Sequence, residues 1–306
     1  MKSVKRVLSL LLALLMMLSL SACGGFTSRL AVAAVKMSKL QSLRMDVDVD
    51  LGMNMSMFGE ELPLDMSVTG PAEILTSPLK GKADLAVEMM DGTSGFLCYA
   101  EHSGDRFFIY TSLDNGRTWE KTEVDLVGLS SEVHFDFKSI AALTKLASAF
   151  QESGTETVKG SEAIVYRGSL AVADLKEHID LPAILKSVEK STNLKLDESS
   201  FDFSNVSPVP ITICIDRHSS MLVKFAVVLT GLAQAVVRVV VQAVVKSAMD
   251  NSIFGMFGDL GGLNLGMFGI DIKLSRLVAS AELYDFDAVG SITIPAEALA
   301  AETLVM

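Results

Sequence analysis

Cys23 is the residue whose place in the chain indicates its chemistry most clearly, because it follows directly on an apolar leader. The first six residues include three basic side chains, Lys2, Lys5 and Arg6. Residues 7–20 are almost entirely Leu, Val, Ala and Met, and small residues follow at once. A basic start, an apolar centre and a small-residue end are the parts of a secretory signal. We therefore predict that residues 1–22 are a signal peptide.

The segment around the cysteine resembles the cleavage motif of bacterial lipoproteins; its residues are Leu20, Ser21, Ala22 and Cys23. In that family the thiol takes a diacylglyceryl group, the signal is cut before the cysteine, and the new N-terminus is usually acylated. The resemblance implies that Cys23 anchors an extracytoplasmic chain to the outer face of the cell membrane, or to the outer membrane if the source has one. Each buried methylene contributes about 0.8 kcal/mol, so two or three acyl chains attach a protein firmly to a membrane. The alternative is a plain secretory signal with an incidental cysteine.

Two short patterns have the side-chain chemistry of metal ligands. Met53-x-Met55-x-Met57 presents thioethers, which favour Cu(I), and Asp46, Asp48 and Asp50 present carboxylates, which favour Ca²⁺. Both patterns have a simpler interpretation, since Met is a common flexible filler of apolar cores and a row of aspartates keeps an exposed strand face soluble. No His or Cys stands beside the methionines. We predict that the protein needs no metal and no cofactor.

Residues 112–119 match the Asp-box pattern S-x-D-x-G-x-T-W of sialidase propeller blades, and the pattern occurs once. A propeller needs four or more blades, so one copy does not predict that fold. Asn115-Gly116 supplies a turn with positive φ, Asp114 can accept bonds from nearby backbone N–H groups, and Trp119 can pack on a sheet. The sequence therefore predicts a structural hairpin here.

Catalytic signatures are weak. The histidines are dispersed along the sequence, at His102, His134, His178 and His218, and neither H-E-x-x-H nor G-x-S-x-G occurs. We predict that the protein is not an enzyme, with an extracellular hydrolase as the less favoured alternative.

Charge and cysteine content limit the partners. The formal net charge is −11, and loss of the leader leaves 23 basic against 37 acidic residues, a net charge of −14. Nucleic acid is an unsuitable partner, and anionic headgroups would repel the body of the protein, so the anchor must hold it at a membrane.

Cys98 and Cys214 both lie in apolar runs. We expect two buried thiols, and the alternative, which export would permit, is a disulfide between them.

A long alternating segment dominates the elements that must position any site. Residues 26–41 have the apolar spacing of a first helix, and from residue 45 to residue 57 every odd position is apolar. Thirteen such residues span about 43 Å at about 3.3 Å each, which predicts a strand crossing a large curved sheet. A turn at 58–61 predicts an antiparallel hairpin, and further alternating runs predict more strands.

A Val-rich segment at 231–249 places polar residues at every fourth position: Gln234, Arg238, Gln242 and Lys246. This spacing predicts a helix whose circumference is about two thirds apolar. A pair of strands is one alternative, and a membrane span over 221–245 is another, although Arg238 would be costly there.

Other segments give shorter predictions. Residues 139–151 have a helical period, 154–172 form a hairpin around Lys159-Gly160, 291–294 form a strand, and Pro295 opens a short helix. In residues 270–283 the alternation slips by one position, which predicts a β-bulge near Ser275-Arg276.

Taken together, the motifs and predicted elements of the mature chain resemble those of the LolA/LppX-type lipoproteins, including the LppX/LprG group. The likeness rests on the cysteine motif, the passage from the first helix through 38–42 into the long strand, the hairpin that ends at Trp119, the strand end at 215–217, and residues 292–295. It implies an α+β fold, a large curved antiparallel sheet forming a half-barrel, with helices packed in or across its concave face. We predict one domain over residues 23–306, with a helical insertion near 231–250.

The resemblance also implies binding or carriage of acyl chains or another hydrophobic ligand, without catalysis. The expected lining combines the odd face of the long strand with the apolar side of the Val-rich helix: Val47, Val49, Leu51, Met53, Met55, Met57, Val236, Val240 and Val244. The alternative is a structural or stress-sensing envelope lipoprotein whose own helix fills the groove.

Overall fold

The computed structural model describes residues 26–57, 60–90, 92–104, 106–124, 147–172, 203, 206–250 and 271–305. The predicted signal peptide and Cys23 lie outside this part of the chain. So do His134, His178 and the side chains of Met57 and Val244.

The described elements are three α-helices, one 3₁₀ turn and twelve strands. In chain order they are α1 (Phe26–Met37), β1 (Ser42–Met57), β2 (Glu60–Thr76), β3 (Leu79–Met89), β4 (Gly92–Ser103), β5 (Arg106–Ser112), β6 (Glu120–Val124), a 3₁₀ turn (Ala147–Ala149), β7 (Phe150–Val158), β8 (Ser161–Leu170), β9 (Val209–Asp216), β10 (Leu222–Val228), α2 (Thr230–Asp250), β11 (Asp271–Tyr284), α3 (Ala296–Leu299) and β12 (Thr303–Val305).

All twelve strands belong to one open sheet, in the order β12-β6-β5-β4-β3-β2-β1-β11-β10-β9-β8-β7. Every neighbouring pair is antiparallel except β12 with β6. The predicted fold class is confirmed: the chain is an α+β half-barrel, built on a large antiparallel sheet that does not close.

Strand β1 is the central element, and the alternation of its sequence explains its two faces. It runs for 16 residues between β2 and β11. Residues directly opposite in antiparallel strands point to the same face, so the register extends the odd face of β1 across its neighbours. Val47 lies between Gly70 and Ala281, and Leu51 lies between Met66 and Leu277. We call this side of the sheet, which carries the odd residues of β1, the inner face.

The phase slip in β11 is a β-bulge, as the sequence predicts. Gly52 of β1 pairs with Arg276 while Met53 pairs with Leu274, so Ser275 is the extra residue. A Cβ on Gly52 would lie 2.7 Å from the Ser275 hydroxyl oxygen, which explains a residue without a side chain opposite the bulge.

Helices α1 and α2 pack on the inner face, α1 over strands β7, β9 and β10 and α2 beside β11. Phe26 of α1 contacts the Phe150 and Tyr166 rings, with centroids 4.9 and 4.5 Å apart. Val239 of α2 joins the same cluster, as do Ile211 and Ile213 of β9. The part of the inner face around Phe150, Tyr166 and Ile211 is therefore filled by the chain's own helices.

The opposite side of the sheet, the outer face, is charged along β1 and is covered by the C-terminal segment on β4 and β5. Residues of the C-terminal segment, Val289, Ile292, Ile294 and Ala298, are buried against Tyr99 and Tyr110 of β4 and β5. The predicted strand at 291–294 is wrong, because these isoleucines are buried by packing on the sheet and not by joining its ladder. Pro295 does open a short helix, α3.

Four further expectations have an outcome. The hairpin around Lys159-Gly160 and the helix over 231–249 are confirmed. The helix predicted for 139–151 is wrong at its end, where β7 begins at Phe150; residues 139–146 lie outside the described part. A span over 221–245 is wrong, since β10 occupies its first third. Among the described residues no helix is long and apolar enough to cross a membrane.

Gly70 in the middle of β2 gives a test of the sheet. Its φ is +151°, and an added Cβ would overlap the backbone carbonyl oxygen of Asp84 on β3. We expect Gly70→Ala to lower the free energy of unfolding by about 2–4 kcal/mol, because neither backbone can move without breaking the ladder. The control is Gly81→Ala, whose Cβ would have no neighbour closer than 3.8 Å. Urea midpoints that are equal in the two variants would contradict this packing.

Candidate functional site: the inner face of the sheet

The inner face on β1, β2 and β11 is apolar and only half-buried. Five of the predicted lining residues, Val47, Val49, Leu51, Met53 and Met55, lie in a row along β1. All five are intermediate in exposure, in contrast to the buried cluster under α1. On β10 the inner-face residue Phe225 leaves 37% of its surface exposed. The described residues thus leave a wide apolar surface in contact with solvent beside a filled core.

Neighbouring strands contribute lining residues that the sequence analysis did not name. Opposite the odd positions of β1 stand apolar partners: Met66 and Val68 on β2, and Ile272, Leu274, Leu277 and Ala279 on β11. The alternation of β2 and β11 is visible in the sequence, but their register against β1 is not. A three-strand apolar surface therefore emerges only from the pairing.

Helix α2 lies next to this surface but does not form an opposing wall with β1 in the described contacts. Val236 packs against the cluster under α1, and Val240 is half-buried. Strand β11 separates that cluster from β1. The two halves of the predicted lining are neighbours on one face of the sheet.

Gln234 of α2 acts as a substitute for a strand. Strand β10 pairs with β11 only up to Val228, while β11 continues to Asp271. Beyond that point the Gln234 amide donates to the Ile272 carbonyl at 3.1 Å and accepts from the Leu274 N–H at 2.5 Å. The Thr230 hydroxyl accepts from the Leu277 N–H at 2.8 Å. The helix thereby satisfies the open edge of β11, which would otherwise be unpaired.

Loss of the Gln234 amide is expected to destabilise the protein by about 1–2 kcal/mol, because Gln234→Ala leaves two half-buried backbone groups without partners. Arg238 lies one turn further along α2 and is exposed. Arg238→Ala is therefore the control and is expected to be neutral within about 0.5 kcal/mol. Equal free energies of unfolding in urea for both variants would show that α2 does not hold this edge.

A cleft of about 450 Å³ lies between α2 and the N-terminal half of β11. Its walls are Gln234, Val237, Arg238 and Val241 from the helix, residues 271–275 from β11, and Asn54 from β1. The cleft lies at the open edge of β11, where the inner-face residues Ile272 and Leu274 and the outer-face residue Asn54 all border it. Its mixed walls differ from the continuous apolar inner face.

The outer face carries the ion pairs. Lys159 contacts Asp46, and Arg276 contacts Asp50 at 2.8 Å. Lys224 joins Glu156 at 3.2 Å and Glu282 at 3.3 Å. The Lys159 hydrogen bond lowers the pKa of Asp46, so this carboxylate is engaged with a cation on the protein. Among the described residues no cluster of three His, Cys, Asp or Glu side chains could hold a metal ion.

The cysteines and histidines that could take part in catalysis are separated from one another in the described structure. Cys98 and Cys214 are both free thiols on strands that are not neighbours, and burial raises the pKa of the Cys214 thiol to about 12. A group with that pKa is a poor nucleophile at neutral pH. His102 is the penultimate residue of β4 and His218 follows β9, with five strands between β4 and β9 in the sheet.

The Ser112–Trp119 turn is built as a structural hairpin. The Asp114 carboxylate accepts from the backbone N–H groups of Arg117 and Thr118, at 3.0 and 2.9 Å, and from the Thr118 hydroxyl at 2.6 Å. The indole of Trp119 donates to the Gly116 carbonyl at 3.1 Å. The acceptor capacity of Asp114 is used within the turn.

This turn predicts a measurable pH effect. The Thr118 hydroxyl bond, with the other donors, lowers the pKa of Asp114 from 3.8 to about 2. A depressed pKa means stability that is present above 3.8 and is lost as the pH falls toward 2. We expect the urea midpoint of Asp114→Asn to fall less steeply over that interval than that of the unsubstituted chain. Identical slopes would contradict the role of this carboxylate.

Comparisons with known proteins give matches among solved structures. LprF from Mycobacterium bovis is similar over 89% of this chain and 96% of its own, with 11% identity and a TM-score of 0.38. LppX from Mycobacterium tuberculosis is similar over 87% and 96%, with 13% identity and a TM-score of 0.35. A LolA superfamily protein from Nitrosomonas europaea is similar over 86% and 94%, with 8% identity and a TM-score of 0.16.

The matches include the two groups that the sequence resembles, LppX and the LolA superfamily, and every TM-score is below 0.5. No protein-family model matches the chain. No curated protein matches it either. The roles of individual residues therefore rest on this chain's own geometry.

Proposed function

We propose that this chain is a non-catalytic, membrane-anchored extracytoplasmic lipoprotein that binds an acyl chain or a similar hydrophobic ligand on the inner face. The single observation that carries the proposal is the half-buried apolar surface of β1, β2 and β11. The same face around Phe150, Tyr166 and Ile211 is filled by α1 and α2. An apolar surface of this extent on a strongly acidic protein is the kind that marks a ligand or interaction site.

The chemistry of the surface sets the expected ligand class. No ion pair in the described structure involves an odd residue of β1, whereas Asp46 and Asp50 on the outer face are paired. Burial of about 14 methylenes yields about 11 kcal/mol gross, from which immobilisation subtracts several, so micromolar to nanomolar affinity is expected. Shape and apolar area then favour chain length over headgroup.

The anchor and the domain organisation complete the proposal. Cys23 is the lipidated residue, residues 1–22 are removed, and residues 23–306 form one domain whose insertion contains α2. LppX is described as a lipoprotein, and that description belongs to LppX. For this chain the proposal rests on the leader sequence. The partners are the membrane and an acyl ligand, with no nucleic acid, cofactor or metal.

A second function, a structural envelope lipoprotein that needs no ligand, is favoured by the cluster that α1 and α2 fill. Native mass spectrometry of the intact purified protein distinguishes the two. We expect a bound lipid that leaves on organic extraction. Purified, folded protein without any co-purified lipid, and without affinity for added fatty acid, would support the structural lipoprotein.

A further inference from the structure

Four exposed apolar side chains stand together at one end of the sheet. The β1–β2 hairpin turns after Met57 and the β3–β4 hairpin turns after Met89, and Met66 of β2 pairs with Met89. Both turns are therefore at the same end. The side chains there are exposed by 37–63%; they are Leu62, Leu64, Met89 and Met90. We call these four residues the rim.

The rim is continuous with the inner face. Leu62 pairs with Met55 and Leu64 pairs with Met53, and both methionines belong to the odd row of β1. Met89 reaches the same face through its pairing with Met66. An unbroken apolar strip therefore runs from the rim to Val47.

The start of α1 lies toward the rim end of its own half of the sheet. Phe26 stacks on Phe150, the first residue of β7, and Met37 packs near Leu43 and Leu283 at the opposite end. The strand register fixes these directions. The first residues of β1 and β8 and the last residues of β7 and β11 all lie at the end of the sheet opposite the rim. Cys23 precedes Phe26 by three residues, which span at most about 10 Å. An anchor on Cys23 is thus attached within about 10 Å of Phe26, at the end of the sheet to which the rim belongs.

We propose that the rim contacts the membrane that holds the anchor, with its four apolar side chains at the boundary between headgroups and acyl chains. This inference rests on the proposed function for the anchor on Cys23. The occupant is a lipid bilayer because the rim and Phe26, three residues after the proposed anchor, lie at the same end of the sheet. Exposed carboxylates surround the rim: Glu60, Glu61, Asp65 and Glu88. They keep the contact shallow and favour zwitterionic over anionic headgroups.

The test uses the full chain, lipidated and reconstituted into phosphatidylcholine vesicles. An environment-sensitive dye on Met90→Cys reports the rim, and the same dye on Leu299→Cys is the control. Leu299 is 47% exposed and belongs to α3, which packs on β5 and β6 away from the rim. The unsubstituted chain, treated with the dye, measures labelling of its native cysteines. We expect a nitroxide on the acyl chains to quench position 90 at least about twofold more than position 299. Equal quenching would overturn the proposal.

A second arm separates the bilayer from other occupants. Phosphatidylglycerol vesicles are expected to reduce quenching at position 90, and about 0.5 M salt to restore it, because the repulsion is screened. Dye at position 90 that stays water-exposed in vesicles but is buried on addition of another protein would show a protein-binding rim instead.

The two proposals fail in different ways. A quenched position 90 in a protein that binds no fatty acid contradicts the carrier function and leaves the rim contact standing. Fatty-acid binding without quenching contradicts the rim contact alone. A chain that does not float with vesicles contradicts the anchor on Cys23 and, with it, the rim contact.

Discussion

Leu51→Asp is expected to weaken binding of a fluorescent fatty acid by about tenfold to a hundredfold, since each tenfold corresponds to about 1.4 kcal/mol. Leu51 lies in the middle of the apolar strip, between Leu277 and Met66. A bound acyl chain would cover the new carboxylate and remove its water without supplying a hydrogen bond. Displacement of the probe by unlabelled fatty acid measures the dissociation constant.

The control for Leu51→Asp places the same charge on the outer face. Ala86 of β3 pairs with Thr69 and Gly95 and is half-buried like Leu51. Ala86→Asp is expected to leave the affinity unchanged within about twofold, because the outer face makes no contact with the ligand. Both variants are first shown to be folded by their urea transitions. Equal losses of affinity would mean that the aspartate acts through stability and not through the inner face.

Val240→Asp extends this series to α2. This variant tests whether the half-buried apolar side of the helix also contacts the acyl chain bound on β1. A loss comparable to that of Leu51→Asp would place Val240 in the site. Unchanged affinity would restrict the site to the strands.

Cys23→Ser is expected to move the protein from the membrane fraction to the soluble fraction. The substitution removes the thiol that we propose carries the diacylglyceryl group, and in that proposal two or more acyl chains, at about 0.8 kcal/mol per methylene, provide the whole attachment. Partitioning of the chain between detergent and aqueous phases measures the change. The matched control is Cys98→Ser, which changes a half-buried thiol on β4 and leaves the leader intact. A Cys23→Ser chain that still enters the detergent phase would place the anchor elsewhere.

The strands of the central sheet could be predicted because a half-buried strand leaves a period of two in its sequence. The thirteen alternating residues of β1 and the slip at Ser275-Arg276 both report local backbone geometry. The same period misleads at 291–294. There the alternate isoleucines are buried by packing on Tyr99 and Tyr110, and no neighbouring strand pairs with them.

The position of α2 could not be predicted from its sequence, although its helical period could. Gln234 belongs to the polar stripe, which by itself indicates a solvated face. In the structure this side chain bonds to Ile272 and Leu274, residues far along the chain. Such a contact depends on β10 ending before β11, which is a property of the whole sheet.

The candidate site divides in the same way. The odd residues of β1 were predicted as lining and do share the apolar inner face, while Met66 and Leu277 entered only through the strand register. The prediction that Cys23 is lipidated follows from the leader sequence alone, and no contact within the sheet tests it.

Photocrosslinking tests the central claim, acyl-chain binding on the inner face, most directly. The full chain is incubated with a fatty acid that carries a diazirine on its chain, irradiated and digested, and the modified residues are mapped by mass spectrometry. If the acyl chain binds on the inner face, we expect crosslinks on odd positions of residues 45–55 and on their partners Met66, Val68 and Leu277, and excess unlabelled fatty acid should suppress them. Crosslinks confined to the outer face or to the edge cleft beside Arg238, or none at all, would contradict it.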